Sequence, residues 1–378
     1  MSKKEASEAS KRPIDQEADF VKLKAVDHVE FWVGNAKQSV FFWTHLGFKP
    51  VAFSGLETGN RRFASYMLEQ KNIRLVISSA YDPHDEIAAH CMIHGDGVKV
   101  IALEVDDAEK TWKEAISRGA ESVISPCEQV DENGTVRISA IRCFGQTTMK
   151  FVERQDYKGL FLPGFQEHKS TIQVEPVGLQ AIDHIVGNVE LGKMDYWVNW
   201  FHDVLGFRQI VHYDDKVIHT EYSALMSKVM ANGNSRIKFP INEPAQGRRK
   251  SQIEEYLDYY MGAGVQHIAL LVGDIVGTVR KLRANGIEFL RVPDSYYDAL
   301  PDRVGEINES YDEVRELGLL ADRDDEGYLL QIFTRPIQDR PTVFLEIIQR
   351  RGSQGFGVGN FKALFESIEI EQQKRGNL

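Results

Sequence analysis

Ala25-Val-Asp27-His28-Val29 recurs in the second half of the chain as Ala181-Ile-Asp183-His184-Ile185, and this echo decides the fold. Each copy reads as a short strand followed by an amphipathic helix with aromatics at helical spacing. Those helices carry Phe41, Phe42 and Trp43 in one half and Trp197, Trp200 and Phe201 in the other. Each ends in Leu-Gly-Phe, at 46–48 and 205–207, where the glycine suits a left-handed helix end before a new strand. A second pair works the same way. Gly97-Val-Lys-Val100-Ile-Ala-Leu-Glu-Val105 matches Gly264-Val-Gln-His267-Ile-Ala-Leu-Leu-Val272, and each leads into a helix and then Arg-Gly-Ala (118–120) or Asn-Gly-Ile (285–287). Four units therefore share one strand–helix–strands pattern. The expected class is α+β: two similar domains, each a pair of βαβββ modules closed into an open barrel. The boundaries expected are a disordered tail over 1–19, a first domain over 20–161, a link over 162–177 and a second domain over 178–378.

Composition narrows the classes of function. The 378 residues are 42% hydrophobic and 27% charged, with no apolar run long enough to span a bilayer. A formal charge of -11 argues against a nucleic-acid groove, which needs a basic patch. Three cysteines (Cys91, Cys127, Cys143) in no C-x-x-C arrangement fit a reducing compartment and leave no thiolate zinc site. The first 18 residues lack the apolar core of a signal peptide, so a cytoplasmic address is expected.

Arg340-Pro-Thr-Val-Phe-Leu-Glu346-Ile-Ile-Gln-Arg-Arg351 reads as a buried strand interrupted by a carboxylate. A buried carboxylate needs a compensating partner or a metal. The repeat lets one half act as a control for the other. His184, His267 and Glu346 stand at strand positions whose first-half counterparts read as His28, Val100 and Phe151. A lone strand histidine is usually an ordinary core residue, but three ligand types at positions that a repeat brings together point to one metal site, in the second half only. His28 is then structural. Two imidazoles and one carboxylate leave three positions open on an octahedral ion, the arrangement that suits Fe(II) oxygen chemistry, although Mn(II), Co(II) or Zn(II) fit the same donors.

The surrounding segments are more selective. They are Asp183-His184-Ile-Val-Gly-Asn188, Phe239-Pro-Ile-Asn242-Glu-Pro244, Lys250-Ser-Gln252-Ile253, Gly262-Ala-Gly-Val-Gln266-His267, Gly327-Tyr-Leu-Leu-Gln331-Ile-Phe333, Phe344-Leu-Glu346 and Gly355-Phe356-Gly-Val-Gly-Asn360-Phe361. From about Phe20 onward the chain resembles the 4-hydroxyphenylpyruvate dioxygenase family of the vicinal-oxygen-chelate superfamily. The resemblance implies one Fe(II) per chain on His184, His267 and Glu346. It implies a polar pocket of Ser227, Asn242, Gln252, Gln266 and Gln331, with Phe333, Phe356, Asn360 and Phe361 as aromatic wall and lid. Of these, Gln252, Gln331, Phe333, Asn360 and Phe361 are implied to act in catalysis.

The residues themselves qualify that list. Gln266 adjoins His267, so on a regular strand it points to the opposite face unless the strand bends. Gln331 and Phe333, two apart, share a face. Asn242 sits between prolines that stiffen a strand end or loop. Ser251-Gln-Ile-Glu254 is a capping box that opens a helix running toward Met261, ended by Gly262 or Gly264. The glycines at 355–359 resemble a dinucleotide loop, yet too little chain follows to complete its unit, and a hinge explains them better. Asn360 is placed to cap a last helix whose Phe361, Leu364, Phe365 and Ile368 make one apolar stripe; it is read as a lid that excludes water.

The implied reaction converts 4-hydroxyphenylpyruvate and O2 to homogentisate and CO2, in tyrosine and phenylalanine catabolism. A homodimer or homotetramer is implied, with the metal-free half as interface. A hydroxymandelate synthase, with the same substrate and benzylic hydroxylation, is the nearest rival. A glyoxalase-type metal isomerase needs a second glutamate ligand that the chain does not obviously supply, and a metal-free binding protein would not need the triad.

Overall fold

The computed structural model describes residues 20–170, 172–213, 224–245, 247 and 249–377; the tail expected over 1–19 lies outside them. The first half runs β1 (Ala25–Trp32), α1 (Ala36–His45), β2 (Lys49–Ser54), β3 (Phe63–Gln70), β4 (Ile73–Ala80), α2 (Glu86–His94), β5 (Gly97–Glu104), α3 (Ala108–Ser117), β6 (Ser122–Asp131), β7 (Gly134–Arg142), β8 (Thr148–Glu153) and β9 (Gln166–Glu167). The second runs β10 (Leu179–Asn188), α4 (Met194–Leu205), β11 (Arg208–Tyr213), β12 (Ala224–Ala231), β13 (Lys238–Ala245), α5 (Gln252–Tyr260), β14 (Gly264–Val272) and α6 (Ile275–Ala284). It continues through the short helices α7 (Ser295–Asp298), α8 (Leu300–Val304) and α9 (Tyr311–Glu316), then β15 (Leu320–Arg323), β16 (Tyr328–Phe333), β17 (Phe344–Arg351) and α10 (Phe361–Lys374).

The strands form two sheets, ordered β6-β7-β8-β5-β1-β4-β3-β2-β9 and β11-β12-β13-β10-β14-β17-β16-β15. Each contains two four-stranded modules joined through one antiparallel central pair, β1 with β5 and β10 with β14, and β9 adds a ninth strand at the edge of the first sheet. Neither sheet closes on itself, so each is an open cup, as the repeat predicts. Helices cover the outer faces: α1 packs on β3 and β4, and α3 on β6, β7 and β8. Gly47 (φ +81°) and Gly206 (φ +71°) make the left-handed turns after α1 and α4 that the Leu-Gly-Phe repeats predict. An apolar core runs through both halves and includes Trp43, Phe144, Phe201 and Phe239. The Gln70 amide ties the halves: its oxygen accepts from the backbone N–H groups of Val177, Gly178 and Leu179 at 3.1–3.2 Å.

The structure departs from the sequence reading at four places. The link over 162–177 is partly structured, because β9 pairs with β2 at the sheet edge. The stretch around Asn242 is neither loop nor strand end but the interior strand β13. Its Pro240 and Pro244 lack N–H donors, and β13 pairs with β10 at only Gly187–Ile241 and Asn188–Asn242. The helix α5 ends on Met261 in the left-handed region (φ +61°) rather than on a glycine. Finally, strand register places Lys150, not Phe151, at the position equivalent to Glu346: Ala102 pairs with Lys150 as Ala269 pairs with Glu346.

Candidate metal centre

The three triad residues sit on β10, β14 and β17, adjacent strands of one sheet, and their side chains converge. His184 Nε2 lies 3.1 Å and His267 Nε2 3.3 Å from Glu346 Oε2, and all three side chains are buried. Two β-bulges aim them. The pairing of β10 with β14 skips Asp183 between Ile182 and His184, and skips Gln266 between Val265 and His267. A bulge turns a side chain off the strict alternation of a strand. That is why Asp183 and Gln266 lie beside the histidines they precede instead of on the opposite face.

Each imidazole is held by its second nitrogen. His184 Nδ1 is 2.7 Å from Asp183 Oδ2, and Asp183 in turn takes Arg350 Nε and Nη2 at 2.8 Å each. His267 Nδ1 is 3.0 Å from Gln266 Oε1. Acceptors at both Nδ1 positions fix the tautomers so that each Nε2 presents a lone pair to the centre. Burial alone raises the Glu346 carboxyl, but the two imidazoles outweigh it and bring it down to about 2. Burial also lowers His184, yet Glu346 and Asp183 outweigh it and leave that imidazole raised, whereas His267, where burial dominates, is lowered. Burial likewise raises the Asp183 carboxyl, but Arg350 and His184 hold it well below the usual carboxylate range. An ionised carboxylate and two oriented imidazoles are a donor set that fits a divalent cation. Among the described residues this is the one such cluster.

The first half supplies the control. Bulges skip Asp27 and Lys99 there, and His28, Val100 and Lys150 occupy the three triad positions. The Asp–His–Arg relay is kept: His28 Nδ1 is 2.6 Å from Asp27 Oδ1, and Asp27 takes Arg154 Nε and Nη2 at 2.6 and 2.7 Å. One imidazole beside an ammonium is not a cation site.

The other expected residues fall into five groups. Phe333 and Phe356 stand against the ligands, with ring centroids 5.9 Å from His267 and 5.2 Å from His184. Gln331 lies on β16 on the face of Phe333, fully buried, with Oε1 unpartnered. Ser227 and Asn242 are direct partners across β12 and β13, two strands along the same sheet. Gln252 and Gln266 share a small cavity of about 30 Å³ with Phe344 and Ile368, on the Nδ1 side of His267 rather than with Gln331.

Asn360 and Phe361 open α10. Asn360 stands at the cap position but makes no capping bond; its Oδ1 instead accepts from Tyr296 Oη at 2.6 Å and Arg303 Nη2 at 3.1 Å, leaving Nδ2 unpartnered. Phe361 packs on Tyr213, centroids 5.2 Å apart. Gly357 adopts φ +71° and lies so close to Gln331 that an added Cβ would fall 2.6 Å from its Nε2. Helix α10 buries Leu364, Phe365 and Ile368 and is tied to α5 by Arg375 and Glu255 at 2.7 Å.

Asp183, Arg350, Tyr296 and Arg303 escape the sequence reading. The repeat does carry a signal for the first, since Asp precedes His in both echoes.

Two family models match: Hydroxyphenylpyruvate dioxygenase, HPPD, N-terminal, over residues 19–165, and the Glyoxalase/Bleomycin resistance protein/Dioxygenase superfamily over 181–332. Curated 4-hydroxyphenylpyruvate dioxygenases from Dictyostelium discoideum and Caenorhabditis elegans are each 48% identical, over 94% and 95% of this chain and 100% and 95% of theirs. The chain belongs to the 4-hydroxyphenylpyruvate dioxygenase family. The Danio rerio dioxygenase, also 48% identical, covers 93% of this chain and 91% of its own. Among solved structures, a triple mutant of 4-hydroxymandelate synthase from Streptomyces coelicolor superposes with a TM-score of 0.82 at 31% identity, over 93% of this chain and 99% of that one. Membership of the dioxygenase family accounts for the metal-binding donors in one cup.

Proposed function

We propose that His184, His267 and Glu346 hold one Fe(II) per chain and that the cup converts 4-hydroxyphenylpyruvate and O2 to homogentisate and CO2. The observation that carries the reading is the buried two-histidine, one-glutamate cluster in a chain that matches dioxygenases over 91–100% of their length. When bound, Fe(II) supplies the oxygen activation and the hold on the 2-oxo acid; two imidazoles and a carboxylate suit it and leave positions for both. The side chains do the positioning. The unpartnered Gln331 Oε1 is an acceptor for the phenolic hydroxyl, and Phe333 beside it offers a ring face to the substrate's ring. Ser227 and Asn242 supply further polar groups to the same pocket. Gln266 acts on the substrate only through the orientation of His267, and Gln252 through the cavity behind it. Phe356, Asn360, Phe361 and α10 close the cup and keep water out.

No side chain has to act as a strong acid or base, because the substrate carries its own 2-oxo acid. The free thiols Cys91, Cys127 and Cys143 suit a reducing, cytoplasmic setting, and we place the enzyme in tyrosine breakdown as a homodimer or homotetramer. A benzylic hydroxylation is the one rival with an observation behind it, the structural neighbour at 31% identity, against 48% for the dioxygenases. Product identification decides: protein, Fe(II), ascorbate, 4-hydroxyphenylpyruvate and air, separated by chromatography. Homogentisate is expected. Hydroxymandelate would keep the metal centre and overturn the pocket assignment, and no oxygen uptake by the metal-loaded protein would overturn the reaction itself.

A further inference from the structure

The cup of the first half is not filled in. It encloses a cavity of about 750 Å³, within the size range of small-molecule sites. Its floor is the counterpart of the metal centre. His28 stands where His184 does, Lys150 where Glu346 does, and Lys99, skipped by a bulge, where Gln266 does. Even the aromatic plug is repeated: Phe161 lies 5.1 Å from the His28 ring, edge to face, as Phe356 lies 5.2 Å from His184. What differs is the sign of the charge. A carboxylate and an amide in one cup are replaced by two ammonium groups in the other.

These ammonium groups are unequally neutralised. Lys150 Nζ is 3.7 Å from Glu30 Oε2, and Glu30 also accepts from Trp32 Nε1 at 3.0 Å and Ser78 Oγ at 2.9 Å. Lys99 has no carboxylate within ion-pair distance among the described residues. Its Nζ is bound to the Gln146 carbonyl at 2.7 Å and sits 4.9 Å over the Trp32 ring. It is nine-tenths buried on the cavity wall. The other charged groups facing the cavity are Glu30, Arg62, Glu86 and Arg142. Arg62 is satisfied by Asp85 and Glu86, and Arg142 has Glu121 at 3.7 Å. A buried cation without a counter-ion costs free energy that an anionic ligand recovers. The rest of the wall, including Val76, Val100, Ile138 and Phe161, is apolar.

We infer that the N-terminal cup is a second small-molecule site, which takes an organic carboxylate with its acid group on Lys99 and its apolar body against Trp32, Val100 and Phe161. The site is separate from the metal cup and needs no metal. Burial first, then Arg142, brings the Lys99 ammonium down to about 8, so affinity falls as pH rises through and beyond that value.

The test uses the iron-loaded protein and naphthalene-2-carboxylate, with binding read by equilibrium dialysis at pH 7. Lys99→Met removes the cation at similar volume, and Val100→Trp plugs the cavity from a wall position remote from the triad. The expected result is a saturable component that Lys99→Met weakens at least tenfold and Val100→Trp abolishes, with metal content and turnover unchanged in both. That component should also weaken in the wild type between pH 7 and 9.5. Isotherms that coincide for all three proteins would overturn the proposal. So would a component that persists in whichever variant folds, as judged by its circular dichroism.

Discussion

Replacing Asp183 with Asn tests the role of the relay behind the metal centre, and Asp27→Asn is its internal control. Asp183 accepts from His184 Nδ1 at 2.7 Å and from two Arg350 nitrogens at 2.8 Å. Asn keeps the shape but loses the charge and one acceptor, so Arg350 is left a buried cation without its counter-ion. Breaking one partner of a buried ion pair costs roughly 3–5 kcal/mol. Loss of the acceptor that orients a metal-binding imidazole costs about 10–100-fold in metal affinity, or about 1.4–2.7 kcal/mol. Asp27 makes the same bonds to His28 and Arg154 at 2.6–2.7 Å. Asp27→Asn should therefore lose the same stability and none of the metal affinity. Denaturant melts give the first quantity, and competition against a chromophoric Fe(II) chelator gives the second. If Asp183→Asn binds metal within twofold of wild type while losing stability as Asp27→Asn does, the relay is structural in both halves and the reasoning fails.

Other perturbations separate the remaining roles. Gly357→Ala forces a side chain into φ +71° and drives its Cβ to 2.6 Å from Gln331 Nε2; turnover should fall at least tenfold with metal content intact, and unchanged steady-state kinetics would remove Gln331 from the pocket. His28→Ala should keep one Fe(II) per chain by elemental analysis; loss of the iron would contradict a single site in the second cup. Burial, then His94 and Lys99, push the His90 imidazole down to about 3. The unfolded chain binds that proton first, so stability is full above about pH 6.5 and declines below it, by roughly 2 kcal/mol at pH 5. His90→Phe should flatten the profile between pH 7 and 5 in chemical denaturation, and an unaltered slope would assign the effect to another group.

The sequence carries the modules and the triad openly, for different reasons. Strand–helix–strands units leave periodicity and glycine signals within a single segment, so Leu46-Gly47-Phe48 and Leu205-Gly206-Phe207 can be matched by eye. Two histidines and a glutamate are chemically distinctive at strand positions. What cannot be read within one segment is register across strands. The counterpart of Glu346 is Lys150 because Ala102 and Ala269 face equivalent partners; the segment around Phe151 has no motif of its own to fix that alignment. The bulges at Asp27, Lys99, Asp183 and Gln266 are likewise properties of strand pairs. Without them Gln266 belongs on the face away from His267. Asn360 has the right residue type for a cap, but Tyr296 and Arg303, distant in sequence, claim its side-chain oxygen.

Register also explains why one cup has a metal-binding donor set and the other does not, and the explanation can be tested by construction. His28 is present and oriented like His184, so the first cup lacks two donors and has gained an ammonium at Lys150. Restoring the imidazole alone, with Val100→His, leaves that ammonium at the position of the third ligand. A unit charge about 4 Å from another repels it by roughly 4 kcal/mol at an effective dielectric of 20, and a divalent ion by about twice that. That is enough to cancel several orders of magnitude of affinity. Val100→His should therefore still bind one metal per chain. Combining it with Lys150→Glu replaces the repulsion with a carboxylate donor, and the stoichiometry should rise toward two, with the second site the weaker because the Lys99 ammonium remains where Gln266 stands beside His267. Elemental analysis after dialysis against a metal buffer reads both proteins. A single variant that binds the second ion as well as the double would show that donor number, and not the inverted charge at position 150, governs metal binding in the first cup.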